Sequence, residues 1–131
     1  MKKRVWLYLR PSEAELLNSI GLLTGCTTRH SQIEFIVKTF RLLVPDPMLI
    51  PPVVSRLFGD FDITLKETKR GPSERAWVYL GEDDLAYIDA LGEAIGETAR
   101  SRTILYMIRL FRPLLLNAVE VSKLVREMLE G

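Results

Sequence analysis

The chain has 131 residues, of which 47% are hydrophobic and 27% are charged, and its formal net charge is +1 at pH 7. This length suits one ordinary domain, or two small units that share a core. No apolar run approaches the ~18–20 residues that a membrane helix needs, and charged residues follow the basic start too closely for a signal peptide. The one cysteine, Cys26, excludes an internal disulfide and fits a reducing compartment.

The first segment predicts a strand and a helix. Residues Arg4 to Leu9 alternate in character and are rich in aromatic and aliphatic side chains, which is typical of a short strand. Ser12 to Glu15 has the form of a capping box, which predicts that a helix begins there and ends at Gly25. The apolar face of this helix is expected to hold Leu16, Leu17, Ile20 and Leu23.

A polar turn and a second helix are expected next. The turn spans Cys26 to Ser31, and the helix is expected to end before Pro45. Residues 1–44 carry seven basic and three acidic side chains, 7 − 3 = +4, so this segment is strongly basic. Helical spacing predicts the buried face of the second helix: Ile33, Ile36, Val37 and Phe40.

The connection, residues 45–72, is rich in proline and apolar in its first part. Because flexible linkers are usually polar, this first part is expected to pack on the domain. Val53 to Phe58 predict a short helix, and Ile63 to Thr68 predict a strand or an extended arm.

The second part of the chain repeats the first. When residues 4–41 are aligned with residues 75–112, a shift of 71 positions, 11 of the 38 pairs are identical, against roughly two by chance. The repeat predicts a strand from Arg75 to Leu80, a helix ended by Gly96, a turn from Thr98 to Ser101 and a further helix. Two copies indicate similar units around a shared core. The apolar faces of the two helices are expected to hold Leu85, Ile88, Leu91 and Ile95, and then Ile104, Met107, Ile108 and Phe111.

Three further features of the helices carry expectations. Glu82, Asp83 and Asp84 crowd a first helical turn, where carboxylates favour the helix dipole. Gly21 and Gly92 correspond in the repeat, and their presence inside helices predicts close packing. Leu114 to Leu129 predict a last amphipathic helix, which Pro113 should kink or separate from the one before.

The order of strand, helix, glycine-ended turn and helix, present twice, resembles the ribbon-helix-helix family of DNA-binding proteins (the MetJ/Arc type). The resemblance covers residues 2–44 and 73–112 and rests on Lys2 to Leu9 as ribbon and Thr98 to Ile104 as the start of the second helix. It implies a mainly α fold with one two-stranded antiparallel β-ribbon, built by two ribbon-helix-helix units as an intramolecular pseudo-dimer. The implied parts are the first unit (1–44), the connection (45–72), the second unit (73–112) and a C-terminal amphipathic helix (113–131).

The resemblance also implies that the ribbon enters the major groove of double-stranded DNA. Strand alternation turns the aliphatic side chains toward the core and the arginines and rings outward. Burial of these rings, or contact with another protein, is the alternative for this face. The residues expected to read base edges are Arg4, Trp6, Tyr8, Arg75, Trp77 and Tyr79.

In the family, the start of each second helix anchors a DNA phosphate, because its free N–H groups and positive dipole end attract anions. Helix capping by Thr and Ser, beside solvated arginines, is the alternative, and both roles can coexist. The residues expected to hold the DNA backbone are Lys2, Lys3, Thr27, Thr28, Arg29, Ser31, Thr98, Arg100, Ser101 and Arg102.

These features predict a sequence-specific transcription regulator that binds a quasi-palindromic DNA site inside a prokaryotic host and self-associates along DNA. Tandem forms of this kind would fit the small DNA-binding regulators of archaeal viruses. The rivals are an antitoxin whose tail binds a toxin, and an adaptor that has lost DNA binding. His30 has no partners at metal-ligand spacing, and Cys26 has no plausible catalytic partner. No metal, cofactor, small-molecule substrate, membrane contact or enzyme activity is therefore expected.

Overall fold

The computed structural model describes residues 2–59 and 73–131. These residues form two strands and six α-helices, so the predicted mainly helical fold with one small sheet is confirmed. The segment predicted as a strand or arm, Ile63 to Thr68, lies outside the described residues. The elements in chain order are β1 (Lys3–Leu9), α1 (Pro11–Thr24), α2 (Arg29–Leu43), a 3₁₀ turn (Pro47–Leu49), α3 (Ile50–Phe58), β2 (Glu74–Leu80), α4 (Glu82–Ile95), α5 (Arg100–Leu116) and α6 (Ala118–Glu130).

The two strands pair with each other in an antiparallel ribbon. The register places Trp6 opposite Trp77 at the centre, with Arg4 opposite Tyr79 and Tyr8 opposite Arg75. Alternate residues point to opposite faces of a strand, so one face of the ribbon meets the core. The predicted inward face is confirmed, because its six aliphatic side chains are buried: Val5, Leu7, Leu9, Ala76, Val78 and Leu80.

The core lies between the ribbon and the second helix of each half; we call residues 3–43 the first half and residues 74–116 the second half. Helix α2 packs against β2 and α5 packs against β1, and the two helices also contact each other. Each second helix therefore lies under the strand of the other half. The predicted buried faces of both helices are confirmed for Ile33, Ile36, Val37, Phe40, Ile104, Met107, Ile108 and Phe111.

Local residues determine where α1 begins and where α1 and α4 end. Helix α1 begins at Pro11, so the predicted start at Ser12 is wrong by one residue: Arg10 is the N-cap, and its N–H donates to the Glu13 carboxylate at 3.1 Å. Proline suits the first helical position because no N–H is needed there. The predicted stops are confirmed, since Gly25 and Gly96 adopt left-handed φ values of 79° and 77°.

Glycine is required at positions 21 and 92 because another part of the backbone lies very close to the helix there. The predicted close packing is confirmed. A Cβ atom on Gly21 would lie 2.8 Å from the Cys26 carbonyl oxygen, and one on Gly92 would lie 2.9 Å from the Glu97 carbonyl oxygen. In both halves, the first helix therefore lies directly against the turn that follows it.

The first part of the connection packs on the domain, as predicted. Ile50, Val53 and Val54 are buried, and α3, together with the 3₁₀ turn, lies against α4. The predicted short helix over Val53 to Phe58 is confirmed and begins earlier, at Ile50.

Two predictions about the helices are wrong. Pro113 does not separate the last helix from the one before: α5 continues through it to Leu116, because a proline removes only one helical hydrogen bond and Leu114 is fully buried beyond it. The break lies at Asn117, and the kink at Pro113 stays a prediction. Leu23, expected on the buried face of α1, is 84% exposed. Among the described residues, no helix is both long enough and apolar enough to span a membrane.

Candidate nucleic-acid interface

The outer face of the ribbon is open. Trp6 is 40% exposed, Trp77 is 36% exposed and Tyr8 is 64% exposed, while both ribbon arginines, Arg4 and Arg75, are exposed. Neither the connection nor α6 covers the rings, so the alternative in which this face is sealed inside the molecule does not hold for the described residues.

The arginines of this face lie on its rings. The Arg4 guanidinium carbon lies 4.9 Å from the ring centre of Trp77 and 4.8 Å from that of Tyr79, and its Nη2 donates to the Tyr79 hydroxyl at 2.6 Å. The Arg75 guanidinium lies 4.0 Å from the ring centre of Trp6. Such cation–π contacts contribute about 0.5–1 kcal/mol each at exposed sites. They place both guanidinium groups over the rings of the ribbon and leave N–H donors at their edges.

His30 joins this face without having been predicted there. Its Nδ1 accepts the backbone N–H of Tyr79 at 3.0 Å, and its ring stacks on Trp77 with 5.6 Å between centres. The contact depends on where the first turn of α2 meets the edge of β2, which the local sequence around His30 does not indicate.

The start of α2 is a capped helix end. The Ser31 N–H donates to the Thr28 hydroxyl at 3.0 Å, and the Thr28 N–H donates to the Ser31 hydroxyl at 3.2 Å. Thr27, beside them, is exposed. The capping role weighed for Thr28 and Ser31 is thus confirmed, and phosphate contact by these residues stays a prediction.

Arg29 anchors α2 to the second strand. Its guanidinium makes two bonds with the Glu74 carboxylate, at 2.6 and 3.0 Å, and two more with Asn18 and Gln32. The hydrogen bond from Arg29 holds the pKa of Glu74 below its ordinary value. Arg29 therefore links α2 to β2, and phosphate contact by it would have to compete with four protein acceptors.

The start of α5 is built from surface ion pairs. Arg100 donates twice to Asp89, both at 2.8 Å, and Arg102 donates to Glu97 at 2.9 Å. These hydrogen bonds hold the pKa values of Asp89 and Glu97 below their ordinary values and raise that of Arg100. Exposed pairs of this kind contribute about 0–1 kcal/mol, so either arginine can turn to another anion at small cost. Thr98 beside them is exposed and Ser101 is partly buried.

The ribbon thus has a basic helix start near each of its two edges. The start of α2 reaches β2 through His30 and Arg29. Helix α5, which begins at Arg100, packs against the other strand, β1. Lys2 and Lys3 are both exposed. The six residues predicted to read bases share one face, and the residues predicted to hold phosphates flank it.

Comparison of the chain with protein-family models, with curated proteins and with solved structures gives no match. A function for the chain has to follow from the geometry and chemistry of its own surface. Within residues 2–59 and 73–131, no group of three or more His, Cys, Asp and Glu side chains is placed to hold a metal ion.

Proposed function

We propose that the chain is an intramolecular pseudo-dimer of two ribbon-helix-helix units and that it regulates transcription by binding double-stranded DNA in a sequence-specific manner. The observation that carries the proposal is the register of the ribbon. It sets the exposed Arg4 and Tyr8 of β1 opposite Tyr79 and Arg75 of β2, about a central pair of tryptophans. A half rotation about the centre of the ribbon therefore exchanges residues of the same type, and the backbone of duplex DNA has the same twofold symmetry.

The dimensions and the chemistry of this face fit the major groove. A two-stranded ribbon enters that groove, and arginine donates in a bidentate manner to O6 and N7 of guanine. The exposed rings can pack on thymine methyl groups, and the Tyr8 hydroxyl can bond a base edge or a phosphate. The two arginines of the ribbon then read two half-sites of a quasi-palindrome.

The flanking helix starts supply sequence-independent attraction in this proposal. Arg100 and Arg102 lie at the start of α5, and the capped start of α2 presents Thr27 and Thr28. Lys2 and Lys3 are exposed at the beginning of β1, where Lys2 lies beside Lys38 of α2 and Asp84 of α4. Contacts with phosphates position a protein on DNA without reading its sequence. Occupancy of the site, inside a prokaryotic host cell, then blocks or recruits polymerase.

Self-association along DNA is part of the proposal. The first part of the connection is used within the molecule, since Ile50, Val53 and Val54 are buried. Among the described residues, an apolar groove of about 330 Å³ between α1 and α5, rimmed by the exposed Leu23 and Leu116, is open to a second copy. Leu116→Glu should abolish cooperative binding to adjacent sites and leave the affinity for one isolated site unchanged.

Two observations weigh against the rival functions. The tail of an antitoxin folds onto its toxin, but the apolar residues Val121 and Val125 of α6 are already buried in this chain. An adaptor without DNA binding leaves the exposed arginines stacked on the ribbon without a role. DNA binding gives these arginines a role.

Selection of bound sequences from random DNA, followed by salt titration, tests the proposal. An enriched site with inverted half-sites is expected, and the logarithm of affinity should fall with the logarithm of salt with a slope near −0.9 per phosphate contacted. Arg4→Ala or Arg75→Ala should cost roughly 1–3 kcal/mol on that site and relax its specificity, whereas Arg100→Ala should weaken binding to all sequences alike.

Arg126→Ala is the matched control. Arg126 is exposed on α6, so this substitution removes the same charge at a position away from the ribbon. It should leave affinity within about twofold of the unaltered protein. Absence of DNA binding at any salt concentration would instead favour the adaptor.

A further inference from the structure

The two ends of the ribbon face are built differently. At one end Tyr79 is partly buried: its hydroxyl accepts from Arg4 and its backbone N–H donates to His30. At the other end Tyr8, which corresponds to Tyr79 in the 71-residue repeat, is 64% exposed. The repeat places Ser101 where the first half has His30, and a serine has no ring to stack on a tryptophan.

The chemistry of His30 orders its end of the face. Because Nδ1 accepts the Tyr79 N–H at 3.0 Å, the neutral imidazole carries its proton on Nε2 and is a donor there. The imidazole stacks on Trp77, and Trp77 meets Tyr79 edge to face at 5.2 Å between ring centres. His30 therefore holds two of the three residues that surround the Arg4 guanidinium.

The arginines differ accordingly. Arg4 lies within 5.5 Å of the ring centres of Trp6, Trp77 and Tyr79, and Tyr79 also accepts its hydrogen bond. Arg75 lies over the ring of Trp6, at 4.0 Å, and faces the exposed Tyr8 across the ribbon. A group already held in its binding geometry loses less freedom on binding and tolerates a wrong partner less well than one that can adapt.

We propose that the protein reads the two halves of its DNA site unequally, and that His30 sets the difference as a positioning residue. The inference rests on the proposed function and adds to it the form of the site: a quasi-palindrome with one strict half, read by the Arg4 end of the ribbon, and one tolerant half, read by the Arg75 end. His30→Ser gives both ends the same residue and should make the two halves more alike. Ser101→His supplies a second ring at the opposite end and should tighten the tolerant half.

The test is a set of single base-pair changes in both halves of the selected site, with affinity measured for each. A change in the strict half should weaken binding about 10–100-fold, which is the range of a lost specific base contact, and the matching change in the tolerant half at most about fivefold. Iron–EDTA tethered to Cys26, the single cysteine, cleaves the DNA nearest the start of α2 and so shows which half faces His30.

The ratio of the two mismatch penalties decides the question, since a merely structural loss in a variant would weaken both halves together. The ratio should fall toward one in His30→Ser, and also in Ser101→His, provided that thermal unfolding shows each variant to be folded. Equal penalties in the unaltered protein, or an unchanged ratio in His30→Ser, would overturn this inference and leave the proposed function standing. Failure to enrich any sequence would overturn both.

Discussion

The two halves of the chain form corresponding ion pairs where they contact each other, and they differ where the connection covers one of them. Glu13 on α1 accepts from Arg109 on α5 at 3.0 Å, and Asp84 on α4 accepts from Lys38 on α2 at 2.8 Å. These four positions correspond under the 71-residue shift, because 13 + 71 = 84 and 38 + 71 = 109. Each pair joins the first helix of one half to the second helix of the other. These two corresponding ion pairs therefore hold the halves together.

One difference comes from the connection between the halves. The 3₁₀ turn and α3 cover α4, and the Tyr87 hydroxyl donates to the Val44 carbonyl at 2.7 Å under this cover. Burial there raises the pKa of the Tyr87 hydroxyl. The corresponding groove beside α1 stays open, with Leu116 exposed at its rim. Among the described residues, the first part of the connection covers α4 and leaves the corresponding surface of α1 open, so these two sides of the molecule are unlike.

Removal of either buried carboxylate, Glu13 or Asp84, should cause the largest loss of stability and so tests whether the two ion pairs are equivalent. The side chains of Glu13 and Asp84 are 0% and 4% exposed, and loss of one partner leaves a cation poorly paired. Glu13→Gln should lower the free energy of unfolding by about 3 kcal/mol in urea titrations, because Arg109 is largely buried. Asp84→Asn should lower it by about 2 kcal/mol, because the cations that it leaves, Lys38 and Arg41, are partly exposed. Glu130→Gln, on an exposed residue at the end of α6, is the control and should change it by less than about 0.5 kcal/mol. A large loss in one half and none in the other would show that the two pairs are not equivalent.

The paired glycines give the next largest effect. Alanine at Gly21 or Gly92 gains about 1 kcal/mol of helix propensity, but its Cβ would lie less than 3 Å from a backbone carbonyl oxygen that cannot move without the whole turn. Overpacking of this kind costs about 1–3 kcal/mol, and we expect a net loss of about 1–2 kcal/mol in both variants.

Gly81→Ala is the comparison for these two variants, because no atom lies within 4 Å of the added carbon. The substitution loses only a modest preference of the N-cap position, about 0.5 kcal/mol. Thermal unfolding of the three variants side by side would contradict the close-packing account if all of them lost the same stability.

Sequence periodicity was sufficient for the elements and for the faces of the ribbon. The alternation around Trp6 and Trp77 identified the outward side chains because strand geometry forces alternation. Periodicity does not predict the contacts of Arg29 and His30, since their partners Glu74 and Tyr79 lie 45 and 49 residues further along the chain. Helical spacing also placed Leu23 on the buried face of α1, because spacing identifies a face without indicating whether another element covers it.

Acid should weaken the Asp84 attachment. Burial alone would raise the pKa of Asp84, but hydrogen bonds and charges from Lys38 and Arg41 more than offset it and hold the pKa below its ordinary value. A carboxyl whose pKa is lower in the folded than in the unfolded state adds stability above its unfolded pKa, near 4, and loses it as pH falls through the folded value. The unfolding free energy should therefore fall more steeply below about pH 4 in the unaltered protein than in Asp84→Asn. Parallel pH profiles of the two proteins would contradict this role.

The smallest expected change in stability concerns the N-cap residues of α2 and α5. Thr28 caps α2 through its hydroxyl, whereas the corresponding N-cap of α5 is Ala99, which has no acceptor in its side chain. Thr28→Ala should cost about 1 kcal/mol, and Ala99→Thr should add up to about 1 kcal/mol, because the extended backbone at position 99 suits a capping residue. Thr27→Ala, on the exposed neighbour, should be close to neutral in the same urea titrations. A loss of stability in Thr28→Ala together with a gain in Ala99→Thr would mean that the two helices begin with the same backbone conformation and differ in the side chain that caps it. A loss of stability in Ala99→Thr would instead mean that the Arg102–Glu97 pair already occupies the space that a capping side chain requires.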